Sequence, residues 1–139
     1  MPERAIRTGS VQSGHMHDSV LVTIPALTSH VALLRAAGSA LAVRLDFTFD
    51  RITELQIAID EVCGRLLAVS RDPKTIRMEF EVKDDAIAIR ASADGPSRDD
   101  RELLSDWSRV ILEAIATDLS PHPSDGQTAL SLQIARAAR

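Results

Sequence analysis

The chain has 139 residues, a formal net charge of −4 at pH 7 and an apolar share of 45%. This length suits one domain, and the sequence contains no apolar run of roughly 18 residues that would cross a membrane. The acidic balance argues against a nucleic-acid partner, because binding phosphates requires a basic surface. The single cysteine, Cys63, excludes an internal disulfide and a cysteine-based metal cluster. Because we find no signal-peptide pattern, we expect a cytoplasmic protein.

Residues 1–17 show no apolar period and are rich in Gly, Ser, Arg and His. We therefore expect a disordered N-terminal arm, followed by one folded domain over residues 18–139. His15 and His17 lie in this arm, where a flexible tail accounts for them better than a metal site does. The sequence predicts no metal site.

The folded part begins with alternating apolar and polar residues over 19–24, which predict a β-strand. Apolar residues then recur at helical spacing over 27–43, and either Thr28 or Ser29 can cap this helix. Gly38 lies inside the predicted helix, where glycine costs about 1 kcal/mol relative to alanine. Close packing against a neighbouring element would explain its presence.

A central helix is predicted over residues 50–69, DRITELQIAIDEVCGRLLAV. Its apolar residues recur every three or four positions and form one buried stripe, and Asp50 can cap its start. Phe47 and Phe49 are expected to close the end of the core near the start of this helix. The positions in which we expect chemistry lie on a second helix face, which carries Glu54, Ala58, Glu61, Arg65 and Ala68.

The next two elements form a predicted β-hairpin. Apolar and charged residues alternate over 76–82, and apolar residues return over 87–91 after a turn at 83–85. One apolar face and one charged face are typical of an antiparallel sheet that is wetted on one side. A polar loop, SADGPSRDDR, follows over 92–101.

The C-terminal part predicts a third helix and a last strand. The helix is indicated by apolar residues at helical spacing and is ended by Pro121. Residues 120–127 are expected to form a loop, and alternation over 130–134 predicts the strand. Trp107 is interpreted as a core residue of the helix rather than a ligand-stacking residue.

The predicted order is β-α-α-β-β-α-β. Each of the four strands has one apolar face, and the three helices each need to bury an apolar stripe. We therefore expect an α+β two-layer sandwich, with a mixed, mostly antiparallel sheet and helices on one of its faces.

This order, with ELQIAIDEVCGRLL on the central helix and SADGP after the hairpin, resembles the ATP-binding fold of histidine kinases, gyrase and Hsp90-type chaperones, also called GHKL. It is more similar to the RsbW-type branch, whose members are anti-sigma factors and serine kinases, over residues 19–136. The helix motif of that family is approximately A-x-x-E-A-x-x-N. Its acidic residue falls at Glu61, and the asparagine that holds Mg²⁺ in the family falls at Arg65.

The resemblance implies that Glu61 acts as general base or positions water. It also implies that Asp94, with Gly95 beside it, bonds the adenine amino group of ATP or ADP. This chain departs from the pattern in three ways: Arg65 replaces the asparagine, the second glycine of the Asp-x-Gly motif is missing, and the lid region 98–107 contains no glycine.

These departures predict weak or lost nucleotide chemistry. A unit positive charge about 4 Å from a divalent ion costs roughly 8 kcal/mol at an effective dielectric of 20, so we expect no Mg²⁺ at Arg65. Arg65 could instead pair with a phosphate directly. The acidic residues of the lid, Asp99, Asp100 and Glu102, would repel phosphates.

The resemblance therefore implies an anti-sigma factor that sequesters an alternative sigma factor and is countered by a STAS-type anti-anti-sigma protein. It further implies a homodimer, with exposed residues near Arg35 and Arg44 as candidate contacts. One alternative is an active serine/threonine kinase of the anti-anti-sigma protein, with Glu61 as general base. A second alternative is a small α+β interaction domain of unrelated role.

Three local alternatives stay open. Glu61 and Arg65 are four positions apart on a helix, so they can form a plain surface ion pair. The Asp94-Gly95 pair can be an ordinary turn. Cys63 is interpreted as a small buried apolar residue rather than a redox switch.

Overall fold

The computed structural model describes residues 18–98, 102–124 and 126–137. The arm predicted over residues 1–17 lies outside the described residues, and the domain boundary at residue 18 stays a prediction. The described elements are β1 (Asp18–Pro25), a 3₁₀ turn (Thr28–His30), α1 (Val31–Arg44), α2 (Phe49–Val69), β2 (Thr75–Val82), β3 (Ala86–Ala93), α3 (Asp106–Ile115), β4 (Thr117–Ser124) and β5 (Gln127–Ala135). None of these helices combines the length and the apolarity that spanning a membrane requires.

The strands form one sheet in the order β1-β2-β3-β5-β4, and each neighbouring pair is antiparallel. The predicted α+β class is confirmed, with a sheet that is antiparallel throughout the described strands rather than mixed. The register places Val22, Met78, Ala91 and Leu130 side by side across four strands. Because alternate side chains point to opposite faces, this register collects the apolar residues on one face.

The three helices cover that apolar face and form the second layer of the sandwich. The largest fully buried side chains come from both layers, among them Phe80 of the sheet, Leu34 of α1, Leu55 and Leu66 of α2 and Leu112 of α3. The opposite face of the sheet carries exposed polar residues, including Arg77, Glu79 and Arg90. This arrangement confirms the predicted placement of helices on one face.

Helix α2 is the central helix expected from the sequence. Its predicted stripe is buried at Leu55, Ile59, Val62, Leu66 and Val69. The cap, however, is Thr48, whose side chain accepts a hydrogen bond from the backbone N–H of Arg51 at 3.1 Å. Asp50 lies in the first turn instead, where its negative charge still complements the helix dipole.

Helix α1 packs against α2 at Gly38. A Cβ atom at this position would lie 2.8 Å from Ile59 Cδ1 and 3.3 Å from Phe80 Cε1. The predicted close approach at Gly38 is therefore confirmed. The predicted cap at Thr28 or Ser29 is wrong, because α1 begins at Val31 after the 3₁₀ turn and makes no side-chain cap hydrogen bond.

The predicted loop over 120–127 is wrong, because β4 occupies Thr117–Ser124. Pro121 was interpreted as the stop of the third helix, but α3 already ends at Ile115. Strand β4 lies at the edge of the sheet, where a residue without an N–H is tolerated. A register shift between Thr117 and Ser120, with Asp118 at φ 55°, separates α3 from the regular part of the strand.

Two aromatic residues lie elsewhere than predicted. Trp107 is 70% exposed, because α3 buries Ser108 and Leu112 and turns the tryptophan outward. Phe49 is 83% exposed, whereas Phe47 closes the core as expected. The predicted core positions of Trp107 and Phe49 are therefore wrong.

Arg51, on the first turn of α2, holds the ends of two other elements. It is only 6% exposed and donates to the carbonyl oxygens of Ala135 at 2.8 Å and Ile115 at 2.9 Å. It also pairs with Glu54 at 2.9 Å. The C-terminal ends of α3 and β5 are thus anchored to the start of α2.

Candidate functional site

The second face of α2 points toward the segment that leads into α3. Arg65 donates from Nε to the carbonyl oxygen of Leu103 at 2.8 Å and from a terminal nitrogen to the carbonyl oxygen of Glu102 at 2.9 Å. Among the described contacts, Arg65 forms no ion pair with Glu61, so the plain i,i+4 pair is not observed. The guanidinium binds backbone, and its fork geometry suits two neighbouring carbonyls.

Glu61 lies one turn before Arg65 and contacts α3 itself. Its carboxylate accepts a hydrogen bond from the hydroxyl of Ser108, which is 2% exposed. Ser105 caps α3 by accepting from the backbone N–H of Ser108 at 3.1 Å, and its hydroxyl donates to that of Ser108 at 2.9 Å. A chain of hydroxyls therefore runs from the cap of α3 to Glu61.

The structure thus brings Glu61 and Arg65 together as neighbours that both hold the segment 102–108 onto α2. Sequence analysis found the two α2 residues from the face of the helix on which they lie. It missed Ser105 and Ser108, although a serine just before a run with helical apolar spacing is a signal for an N-cap such as Ser105.

Asp94 lies at the end of β3 and contacts the start of β2. Its carboxylate accepts hydrogen bonds from the backbone N–H groups of Lys74 at 2.7 Å and Thr75 at 3.2 Å. These backbone donors, the one from Lys74 first, hold the pKa of the Asp94 carboxyl below its usual value. In this arrangement the carboxylate ties the loop after β3 to the neighbouring strand.

Gly95 packs directly onto the backbone that follows α2. A Cβ atom there would lie 2.1 Å from the carbonyl oxygen of Arg71, so only glycine fits. Two backbone hydrogen bonds fix the same contact, from Arg71 to Pro96 at 2.9 Å and from Arg98 to Val69 at 2.7 Å. The loop with Asp94 and the end of α2 are therefore joined.

Thr128, at the start of β5, is a buried residue of this region that sequence analysis missed. Its hydroxyl donates to the carbonyl oxygen of Gly95 at 3.0 Å and shares a hydrogen bond with the hydroxyl of Ser97 at 3.0 Å. It fixes the loop after β3 from the sheet side. A threonine within an apolar strand is the signal that could have indicated it.

A cavity of about 590 Å³ opens at the end of the sheet beside the segment that precedes α3. Its walls combine apolar and charged side chains: Arg98, Leu103, Leu104, Arg109, Pro121 and His122, with Thr128 at its base. Glu61, Arg65 and Asp94 are not part of this lining. The sequence-predicted site residues therefore lie outside this cavity.

The residues present do not fit a Mg²⁺–nucleotide in the way the resemblance implies. Arg65 places a positive charge where the family holds the metal, and both it and Glu61 already bind the protein. Within the described residues, no group of three or more His, Cys, Asp or Glu side chains could hold a metal ion. The arrangement is one of internal support rather than of an open phosphate site.

Cys63 lies on α2 and is fully buried. Burial, followed by the nearby Asp60 carboxylate, raises the pKa of its thiol to about 12. A thiol that stays protonated is a poor nucleophile, which agrees with its interpretation as a small buried residue.

Comparison with known proteins gives three informative relatives, while no family model matches the chain. The chain is 29% identical over 103 residues to the anti-sigma-F factor RsbW of Mycobacterium tuberculosis, covering 73% of this chain and 60% of that protein. It is 31% identical over 90 residues to the serine-protein kinase RsbW of Bacillus cereus, covering 63% and 56%. It is 30% identical over 87 residues to the serine-protein kinase RsbW of Listeria monocytogenes, covering 60% and 55%.

The matched stretch therefore spans only 55–60% of the length of these curated relatives. Their names agree with the family that the central helix and the SADGP loop indicated from the sequence. The chain is thus similar, over part of its length, to proteins named as RsbW-type anti-sigma factors and serine-protein kinases.

Proposed function

We propose that the protein is an anti-sigma factor that binds and sequesters an alternative sigma factor in the cytoplasm and is countered by a STAS-type anti-anti-sigma protein. The names of its relatives support the class of partner. The observation that carries the proposal is that Arg65 and Glu61 are both committed to holding the segment 102–108. A protein in this arrangement acts by presenting a surface rather than by transferring phosphate.

Nucleotide chemistry is proposed to be weak or lost. To grip a phosphate, Arg65 would have to give up two hydrogen bonds to backbone carbonyls, each worth about 1.5–3 kcal/mol for a charged donor. Glu61 would likewise have to release Ser108. ATP or ADP stays a candidate ligand through the relatives that are named kinases, but Mg²⁺ is not expected beside Arg65.

A homodimer is proposed through α1, because the solvent face of this helix is apolar. Leu33 is 56% exposed and Val43 is 62% exposed, and the exposed positions between them include Ala36 and Ala40. A contiguous apolar helix face of this kind marks an interaction surface. The candidate contacts Arg35 and Arg44 are paired within the chain, with Asp60 and Asp18.

The second candidate function is a serine kinase. One observation favours it: Glu61 accepts a hydrogen bond from a serine hydroxyl, which is the geometry a general base needs. The absence of glycine from the lid region and the cation at position 65 weigh against it. In a kinase assay with candidate STAS-type proteins, transfer of phosphate that disappears in Glu61→Ala would favour this function over the first.

The proposed function is tested by reconstitution without nucleotide. The purified chain is mixed with each sigma factor encoded in the same genome, and complexes are identified by size-exclusion chromatography. We expect one alternative sigma factor to co-elute and a STAS-type protein to displace it. If none of the sigma factors co-elutes, the proposal is wrong.

The dimer is tested separately with two charge substitutions. Leu33→Glu places a carboxylate on the apolar face of α1 and is expected to give a monomer in sedimentation experiments. Leu21→Glu, on the open face of the sheet where Leu21 is 53% exposed, serves as the matched control and should leave the dimer intact. Equal behaviour of both variants would contradict the placement of the interface.

A further inference from the structure

We propose that the segment 102–108 is a built-in plug, and that Ser108 stands at Glu61 in place of the hydroxyl of a substrate. This inference concerns regulation of the site described above and rests on the proposed function. It accounts for the contacts by which both Arg65 and Glu61 hold this segment. Release of two contacts, those of Arg65 with the backbone and of Ser108 with Glu61, opens the cleft expected from the resemblance.

The first contact is the double hydrogen bond of Arg65. The guanidinium holds consecutive carbonyl oxygens, those of Glu102 and Leu103, at 2.9 and 2.8 Å. It therefore fixes the backbone of the plug whatever side chains the plug carries. Leu104, the next residue, is only 4% exposed and packs in the hydrophobic core.

The second contact is the hydrogen bond from Ser108 to Glu61. A serine kinase needs a carboxylate within hydrogen-bond distance of the hydroxyl that it activates. Here the hydroxyl comes from the chain itself, is buried, and is oriented by the hydroxyl of Ser105. One oxygen of the Glu61 carboxylate therefore already accepts a serine hydroxyl of the chain itself, at the position where a foreign serine would bind.

The two ends of α3 are held by different contacts, so one end of the helix can move while the other stays fixed. The C-terminal end is anchored by Arg51, which donates to the carbonyl oxygen of Ile115 at 2.9 Å, and by burial of Leu112. The N-terminal end depends on Arg65 and Ser108. Loss of those two contacts should lift the N-terminal end while the other end of the helix stays in place.

The experiment compares two double variants, of which one removes the hydroxyl at position 108 and the other keeps it. Arg65→Asn/Ser108→Ala removes both contacts, whereas Arg65→Asn/Ser108→Thr keeps a hydroxyl for Glu61. Ser39→Ala, which removes the acceptor of a hydrogen bond from Gln56 at 2.8 Å, is the control for loss of a hydroxyl elsewhere. Hydrogen exchange of the amides of residues 103–108 and calorimetric titration with Mg·ATP are measured on the full chain.

We expect exchange in residues 103–108 to be at least about tenfold faster in the alanine double variant than in the wild type. We also expect it to bind Mg·ATP at least about tenfold more tightly than the wild type and the threonine double variant. A smaller change in either measurement overturns the plug. If the double variant does not fold, the single variants Ser108→Ala and Ser108→Thr are compared, with about threefold faster exchange expected for alanine.

Neither measurement contains a sigma factor, so the outcomes for the plug and for the proposed function are separate. If the alanine double variant shows neither faster exchange nor tighter binding of Mg·ATP, but the separate reconstitution yields a sigma-factor complex, only the plug is wrong. Wild-type protein that binds Mg·ATP in the low micromolar range, as tightly as the alanine double variant, removes the plug and the loss of nucleotide chemistry together.

Discussion

The guanidinium of Arg65 on α2 lies 2.8 Å from the carbonyl oxygen of Leu103, 38 positions further along the chain. A positive charge at this place is used to hold backbone, with a second bond to Glu102 at 2.9 Å. The residue that most clearly departs from the family pattern is thus a structural support of the segment before α3.

Arg65→Met is expected to lower the free energy of unfolding by about 2–3 kcal/mol, because two carbonyls lose a charged donor. The measurement is urea unfolding followed by circular dichroism. Arg109→Met is the matched control, since Arg109 pairs with Glu113 at 3.6 Å on an exposed surface and such pairs contribute about 0–1 kcal/mol. Equal losses in both variants would show that the two carbonyl bonds do not stabilise the fold.

Replacement by alanine at two helical glycines is expected to change the free energy of unfolding in opposite directions. Gly64→Ala should stabilise the protein by about 0.5–1 kcal/mol, because no atom lies within 4 Å of the added methyl group. Gly38→Ala should destabilise it by about 1 kcal/mol net, because the crowding of Ile59 and Phe80 outweighs the gain in helix propensity. Thermal unfolding of both variants tests this, and stabilisation by Gly38→Ala would contradict the close packing of α1.

Arg51→Met is expected to cost about 3 kcal/mol, because it leaves the carbonyls of Ile115 and Ala135 without their donor and Glu54 without its partner. The matched control is Arg44→Met, which breaks an exposed pair with Asp18 and should change stability by less than about 0.5 kcal/mol. Chemical unfolding measures both. A loss for Arg51→Met no larger than for the control would be inconsistent with its role as an anchor.

Cys63 predicts a pH effect with a definite sign. Its pKa rises from 9.0 to about 12 in the folded protein, so the folded state keeps the thiol proton at a pH where the unfolded state has lost it. The associated stability is present below pH 9.0 and is lost as the pH rises toward about 12. The free energy of unfolding, measured from pH 8 upward, should fall less steeply in Cys63→Ala. The same slope in both proteins would contradict the burial of the thiol.

Much of the fold could be predicted because local patterns agree with the tertiary structure. Alternation at Ile76, Met78 and Phe80 indicates a strand with one buried face, and the register places all three on the core side. β4 could not be predicted in this way, because Pro121 signals a break. Its position at the edge of the sheet, which makes proline tolerable, is a tertiary property.

The pattern of the sequence by itself indicated only the α2 part of the site, whereas Asp94 and Gly95 were named from the resemblance. Helical spacing places Glu61 and Arg65 on a common face, but their partners lie 37–47 positions away and are brought into contact by the packing of α3. The wrong interpretation of Trp107 has the same origin. A tryptophan is normally largely buried. Here α3 is oriented so that Ser108 contacts Glu61, and in this orientation Trp107 faces solvent.

The most direct test of the central claim is calorimetric titration of the wild-type chain with Mg·ATP. Because Arg65 and Glu61 are committed to the segment 102–108, we predict no saturable binding at concentrations up to about 1 mM. A dissociation constant in the low micromolar range that is lost in Glu61→Ala would contradict the claim that this cleft now serves as support.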